Sequence, residues 1–149
     1  MNDDRTIILI EDDPDDAALT LRALARARIG NPLLHLKDGV EALDWFFGRG
    51  AYTDRDLGEM PALVLLDLKL PRVSGFEVLN AVRQDVRLRG YPIVILTSSG
   101  EEEDLVTAYR EGANSYVRKP VDFTEFASAV AQLGLYWLVL NRTPDHLHR

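Results

Sequence analysis

The chain has 149 residues, of which 46% are hydrophobic and 28% are charged, a balance typical of one globular domain rather than a disordered chain. Its net charge of −7 argues against nucleic acid binding, and the absence of cysteine excludes disulfides and thiolate metal sites. No apolar stretch is long enough for a signal peptide or a membrane span, so the sequence predicts a cytoplasmic protein with no membrane contact.

Five short apolar runs alternate along the chain with segments whose apolar residues recur at helical spacing. The runs predict strands at residues 6–10, 33–37, 62–67, 91–97 and 115–118. The segments after them predict helices at about 14–28, 40–47, 76–86, 101–112 and 122–140. Residues 48–61 are predicted to form a longer polar loop.

The alternation of strands and helices predicts the fold class. Nearly continuous apolar strands are typical of a parallel sheet that helices cover on both faces. Right-handed crossovers then give an α/β doubly wound sheet of five parallel strands in order 2-1-3-4-5, the flavodoxin-like topology. One domain is expected to fill residues 1–149, with residues 122–149 forming an extended last helix and tail.

Local signals refine two of the helices. Asp13 precedes Pro14 and is interpreted as the cap of the first helix, with Asp15 and Asp16 near its positive end. The second helix is predicted to bury one apolar stripe made of Val40, Leu43 and Phe47.

Three carboxylates follow the first and third strands. Glu11 and Asp12 end the first strand, and Asp67 ends the third. In this strand order the topological switch point lies between these two strands, and a crevice forms there beyond their carboxyl ends. The carboxylates are therefore expected to converge in one crevice. Repulsion between the three carboxylates raises their energy unless a cation offsets it, and an all-oxygen ligand set suits Mg²⁺. The site predicted for the metal comprises Glu11, Asp12, Asp67 and a backbone carbonyl of Lys69.

Further polar groups follow the last two strands. Thr97 ends the fourth strand and Lys119 the fifth, so a hydroxyl and an ammonium face the same crevice. Acids, a metal, a hydroxyl and a cation are what phosphoryl transfer needs. Asp67 is the predicted nucleophile, Lys119 offsets charge, and Thr97 and the Ser98 N–H hold phosphoryl oxygens.

The pattern Glu11-Asp12, Asp67, Thr97 and Lys119-Pro120 resembles the receiver domain of two-component response regulators, over residues 6 to about 140. The resemblance implies a sensor histidine kinase as phosphodonor, dependence on Mg²⁺, and a switch in which Thr97 moves toward the phosphoryl group. It implies that Tyr116 follows that movement, although burial alone also explains an aromatic residue there. It also implies a cis bond before Pro120.

Shorter phrases resemble the stand-alone receivers that are paired with phytochromes. They lie at residues 50–52, 92–99 and 135–137, and the chain is expected to be a stand-alone receiver with no output domain after residue 149. The chain is therefore expected to be a phosphoacceptor and not a conventional enzyme, with only self-catalysed transfer and slow autodephosphorylation. A role as relay intermediate or phosphate sink stays open.

Two other functions are considered. An aspartate-dependent phosphatase usually has a second Asp two residues after the first, where this chain has Lys69. A flavin-binding protein of this topology needs a phosphate loop after the first strand, and no Gly-, Ser- or Thr-rich segment follows that strand here.

The last predicted helix has more apolar surface than one sheet can cover. Its inward stripe is expected to include Phe126 and Val130, while residues 135–140 are apolar on every side. We therefore predict a homodimer, with a kinase-docking surface or packing of the tail as the alternatives. The residues expected at the dimer interface are Phe123, Tyr136, Trp137 and Leu140. His35, His146 and His148 show no acid or metal partner by spacing and are interpreted as surface or tail residues.

Overall fold

The computed structural model describes residues 5–27, 29–98, 102–119 and 123–133. Its strands are β1 (Ile7–Ile10), β2 (Leu33–Leu36), β3 (Leu63–Leu66), β4 (Ile93–Thr97) and β5 (Ser115–Arg118). Its helices are α1 (Pro14–Arg26), α2 (Gly39–Phe47), α3 (Gly75–Gln84), α4 (Glu102–Arg110) and α5 (Phe123–Gln132), and a short 3₁₀ turn lies at Gly50–Tyr52. The predicted alternation of strands and helices is confirmed, with ends that differ by a few residues.

The five strands form one parallel sheet in the order β2-β1-β3-β4-β5, as predicted. Ile10 pairs with Leu66 across β1 and β3, so Glu11 and Asp67 emerge side by side at the carboxyl edge of the sheet. Thr97 pairs with Arg118 across β4 and β5, and the Lys119 N–H donates to the Thr97 carbonyl at 2.8 Å. The strand register thus brings all four strand ends to one edge.

Helices cover both faces of the sheet. Alternate strand residues such as Ile8 and Val64 pack with α2, α3 and α4 on one face. Their neighbours, such as Leu9 and Leu65, pack with α1 and α5 on the other face. Because both faces are covered, β1 and β3 are buried along their whole length.

The buried face of α2 differs from the prediction. Val40, Leu43 and Phe47 are only half-buried, whereas Ala42, Trp45 and Phe46 are buried. The reason lies in the aromatic contacts, because the rings of Trp45 and Phe46 lie 6.1 and 6.0 Å from that of Tyr91.

Arg55 orders the long loop between α2 and β3. Its guanidinium lies 3.8 Å from the centre of the Trp45 ring and donates to the Trp45 carbonyl and to the Tyr91 hydroxyl, both at 2.7 Å. The Tyr91 hydroxyl in turn donates to the carbonyl of Leu57 at 2.9 Å. The loop predicted as polar is thus held against the aromatic side chains of Trp45 and Tyr91.

The last helix is described as far as Gln132, with Phe126 and Val130 buried as predicted. The predicted continuation toward residue 140 lies outside the described residues, as do Tyr136, Trp137 and Leu140 and the side chain of Phe123. In the part of the chain that the structure describes, no helix has the length and apolar character to cross a membrane.

Candidate functional site

Three carboxylates meet where β1 and β3 end. Carboxylate oxygens of Glu11, Asp12 and Asp67 all lie within 4.8 Å of one another. Glu11 is 1% exposed and Asp67 is 6% exposed, while Asp12 faces solvent. The site therefore combines two buried acids with one that water can reach.

The ammonium of Lys119 lies among carboxylates. Its Nζ is 2.5 Å from Glu11 Oε1, 2.9 Å from Asp16 Oδ2 and 3.1 Å from Asp67 Oδ2. The Lys119 side chain is 7% exposed, so water contributes little to its solvation. The described side chains thus place a buried cation directly beside the carboxylate of Asp67.

Burial and the charges of the neighbours shift two pKa values. Burial raises the pKa of Glu11 to about 7, against the hydrogen bond from Lys119, and the negative charge of Asp67 adds to the increase. Burial by itself lowers the pKa of Lys119, but hydrogen bonds to Glu11 and Asp16 raise that pKa above the usual value for lysine. The ammonium is therefore charged throughout the physiological pH range.

Backbone groups fix the carboxylates of β1 and β3. The Asp13 N–H donates to Glu11 Oε2 at 3.2 Å, and the Lys69 N–H donates to Asp67 Oδ1 at 3.2 Å. Gly75, the first residue of α3, packs against β3 so closely that a Cβ would lie 2.2 Å from the carbonyl oxygen of Asp67. Only glycine allows this approach, which holds the segment after Asp67 against the site.

The other predicted site residues lie around this edge. Thr97 is fully buried at the end of β4, and Ser98 follows it at the surface. Tyr116 on β5 is half-buried against the core cluster under α2, α3 and α4. Lys69 is exposed, and Pro120 lies outside the described residues.

Two residues at the site were not expected there. Asp16 was interpreted only as a helix-end acid, yet it contacts Lys119 at 2.9 Å. His35 was interpreted as a surface residue, but it is half-buried and its Nε2 lies 2.7 Å from the Glu11 carbonyl oxygen. The neighbouring strand places it there, since His35 precedes Leu36, the partner of Ile10. His146 and His148 lie outside the described residues.

The acidic cluster has the ligand types that Mg²⁺ binds. Glu11, Asp12 and Asp67 offer only oxygen donors, which hard divalent cations prefer. Asp12 is exposed, so a bound ion would keep water on that side, as Mg²⁺ usually does. The residues present therefore fit the predicted ion.

Comparison with known proteins agrees with this geometry. The family model of the response regulator receiver domain matches residues 7–131, which include every described site residue. The chain belongs to the response regulator receiver family.

Three relatives place the chain within the receiver family. The bacteriophytochrome response regulator AtBRR has a solved structure with 48% identity and a TM-score of 0.82, covering 94% of this chain and 99% of that one. The probable methanogenesis regulatory protein FilR2 of Methanothrix harundinacea is 39% identical, over 93% of this chain and 86% of its own length.

The third relative is the response regulator Rcp1 of Synechocystis, which is 32% identical over 92% of this chain and 91% of its own length. The structure of its Mn²⁺-bound form has a TM-score of 0.73, covering 93% of this chain and 96% of that one. The bacteriophytochrome response regulator AtBRR and the response regulator Rcp1 are thus close structural neighbours of this chain.

Proposed function

We propose that this chain is a single-domain response regulator that accepts a phosphoryl group from a sensor histidine kinase onto Asp67. The observation that carries the proposal is the 3.1 Å contact between Asp67 and Lys119 beside the oxygens of Glu11 and Asp12. A fixed carboxylate, a buried cation and a set of oxygen ligands are the groups that phosphoryl transfer requires.

The transfer replaces a P–N bond by a P–O bond. A carboxylate oxygen of Asp67 attacks the phosphorus of phosphohistidine, and the P–N electron pair leaves with the imidazole, which takes up a proton from water. The Lys69 N–H holds the carboxylate in one orientation, and Lys119 offsets charge on the phosphoryl oxygens. Glu11, Asp12 and Asp67 would hold Mg²⁺, which would supply further charge neutralisation. Slow hydrolysis of the acyl phosphate returns Asp67.

Removing the metal should abolish phosphorylation, because the buried acids otherwise repel an anionic donor. Intact mass spectrometry after incubation with phosphoramidate should show a single phosphoryl adduct with Mg²⁺ and none with EDTA. Adding Mg²⁺ back after EDTA should restore the adduct. An equal adduct yield with and without the metal would contradict the proposed role of the acidic cluster, and no adduct in any condition would contradict the phosphoacceptor function.

We propose that the kinase is a bacteriophytochrome and that this chain acts in the cytoplasm. The support is the similarity to AtBRR, which is described as a bacteriophytochrome response regulator and is covered over 99% of its chain. Phosphorylation then shifts an existing equilibrium at the surface of α4, β5 and α5, with Thr97, Ser98 and Tyr116 responding to the phosphoryl group. Tyr116 lies on β5, which is one element of that surface.

A homodimer through the last helix is proposed as the assembly. The predicted continuation of this helix over residues 135–140 would be apolar on every side, and one sheet face could not cover all of it. Trp137→Ala removes the largest of these side chains and should give a monomer in multi-angle light scattering, whereas wild type should have the mass of a dimer. A dimer mass for the variant at micromolar concentration would contradict this interface.

A further inference from the structure

Asp16 contributes a fourth carboxylate to the site. The Lys119 ammonium has three hydrogens and three carboxylate partners, which come from the end of β1, the first turn of α1 and the end of β3. The partner on α1 is Asp16, at 2.9 Å. The hydrogens of the ammonium are therefore divided between the two buried acids and one acid that is 34% exposed.

The position of Asp16 is fixed by helix α1. Its N–H donates to the capping Asp13 side chain at 3.3 Å, and its carbonyl accepts from the Thr20 hydroxyl at 3.0 Å. Ala17, Thr20 and Leu24 are buried, so they set the rotation of α1 about its axis. The backbone of Asp16 is therefore fixed at a position from which its carboxylate contacts Lys119.

The three contacts of Lys119 differ in length. The contact with Asp67 is the longest at 3.1 Å, and those with Glu11 and Asp16 are 2.5 and 2.9 Å. Asp16 on α1 and Asp67 after β3 share one ammonium, so the attraction of Asp16 for Lys119 competes with a closer pair between Lys119 and Asp67. A closer pair would neutralise the charge that binds Mg²⁺ and the oxygen that attacks phosphorus.

We propose that Asp16 is a positioning residue that restrains Lys119 and so leaves Asp67 available to Mg²⁺ and to the phosphoryl donor. The inference rests on the proposed phosphoacceptor function. It adds that Asp16 influences how readily Asp67 reacts. Asp16 acts only through Lys119 and does not itself touch the transferred group.

The test compares Asp16→Asn with Asp15→Asn. Both variants lose one negative charge in the first turn of α1, but the exposed side chain of Asp15 makes none of the contacts with Lys119. At saturating Mg²⁺, Asp16→Asn should be phosphorylated by phosphoramidate about three- to fivefold more slowly than Asp15→Asn, and its Mg²⁺ dissociation constant from calorimetry should be higher by a similar factor. Asp16→Glu, which restores the charge, should recover most of both losses.

A second titration distinguishes a purely structural role of Asp16 from a role that acts through Lys119. The Mg²⁺ titration is repeated after Lys119→Met has been added to both variants. Once the ammonium is gone, Asp16→Asn and Asp15→Asn should bind Mg²⁺ equally, because the proposed effect passes through Lys119. Equal affinity and rate for the two variants in the presence of Lys119 would overturn this inference alone. A wild-type protein that forms no adduct would instead overturn the proposed function.

Discussion

Asp67→Asn should form no phosphoryl adduct with phosphoramidate and Mg²⁺, a loss of at least about 10³-fold in rate relative to wild type. An amide oxygen is a poor nucleophile, and the amide nitrogen has no available lone pair. The asparagine oxygen can still accept the Lys69 N–H that Asp67 accepts at 3.2 Å, so we expect the variant to fold. Intact mass spectrometry measures the adduct, and circular dichroism measures the folded fraction.

The matched control is Asp15→Asn, which has the same charge change at an exposed residue that makes none of the described contacts with Lys119. Its adduct yield should equal that of wild type. Borohydride reduction of the phosphorylated wild type, followed by peptide mapping, should place the modified residue at position 67. If a folded Asp67→Asn protein were phosphorylated at the wild-type rate, the phosphoacceptor would be another residue.

The strands of this fold could be predicted because of how they are buried. A strand covered on both faces is apolar at successive positions, so residues such as Ile8 and Leu9 on β1 form an apolar run that is too short for a typical helix and predicts a strand. Helix α2 is different, because apolar residues occur on more than one side of it. Periodicity therefore cannot choose its buried face, which depends on contacts of Trp45 and Phe46 with Tyr91 from a distant part of the chain.

Residues that follow parallel strands meet at one edge of the sheet, which likewise predicts that Glu11, Asp67 and Lys119 lie together. In the structure Lys119 contacts both acids. The roles of these residues stay predictions. The contribution of Asp16 was missed because it depends on the rotation of α1, which buried Ala17 sets. His35 was missed because its partner is a backbone carbonyl, and a backbone carbonyl leaves no sequence pattern.

Lys119→Met should slow phosphorylation by about 10²- to 10³-fold, the cost of removing one charge-stabilising donor from a preorganised site. The side chain is 7% exposed and is the described cation in direct contact with Asp67, so no water-exposed lysine substitutes for it in this geometry. Lys37→Met is the matched control, since it makes the same substitution at an exposed position after β2. A Lys119→Met protein with the phosphorylation rate of Lys37→Met would contradict the proposed role of the ammonium.

The same variant should show a pH-dependent loss of stability in the absence of metal. The folded-state pKa of Glu11 is about 7 against a usual 4.5, so ionising Glu11 favours the unfolded state. The penalty is absent below about pH 4.5 and complete above about pH 7. Lys119 lowers this penalty in wild type, because its hydrogen bond stabilises the carboxylate.

Without the ammonium, Glu11 and Asp67 are buried acids with no cation beside them, and breaking such a pair costs about 3–5 kcal/mol. Chemical denaturation at pH 8 in EDTA should therefore show a loss of that order for Lys119→Met, and a smaller one at pH 5.5, where Glu11 is protonated. Mg²⁺ should restore most of the difference at pH 8, since the ion replaces the missing positive charge. Equal losses at both pH values would show that Lys119 stabilises the fold by packing and not by its charge.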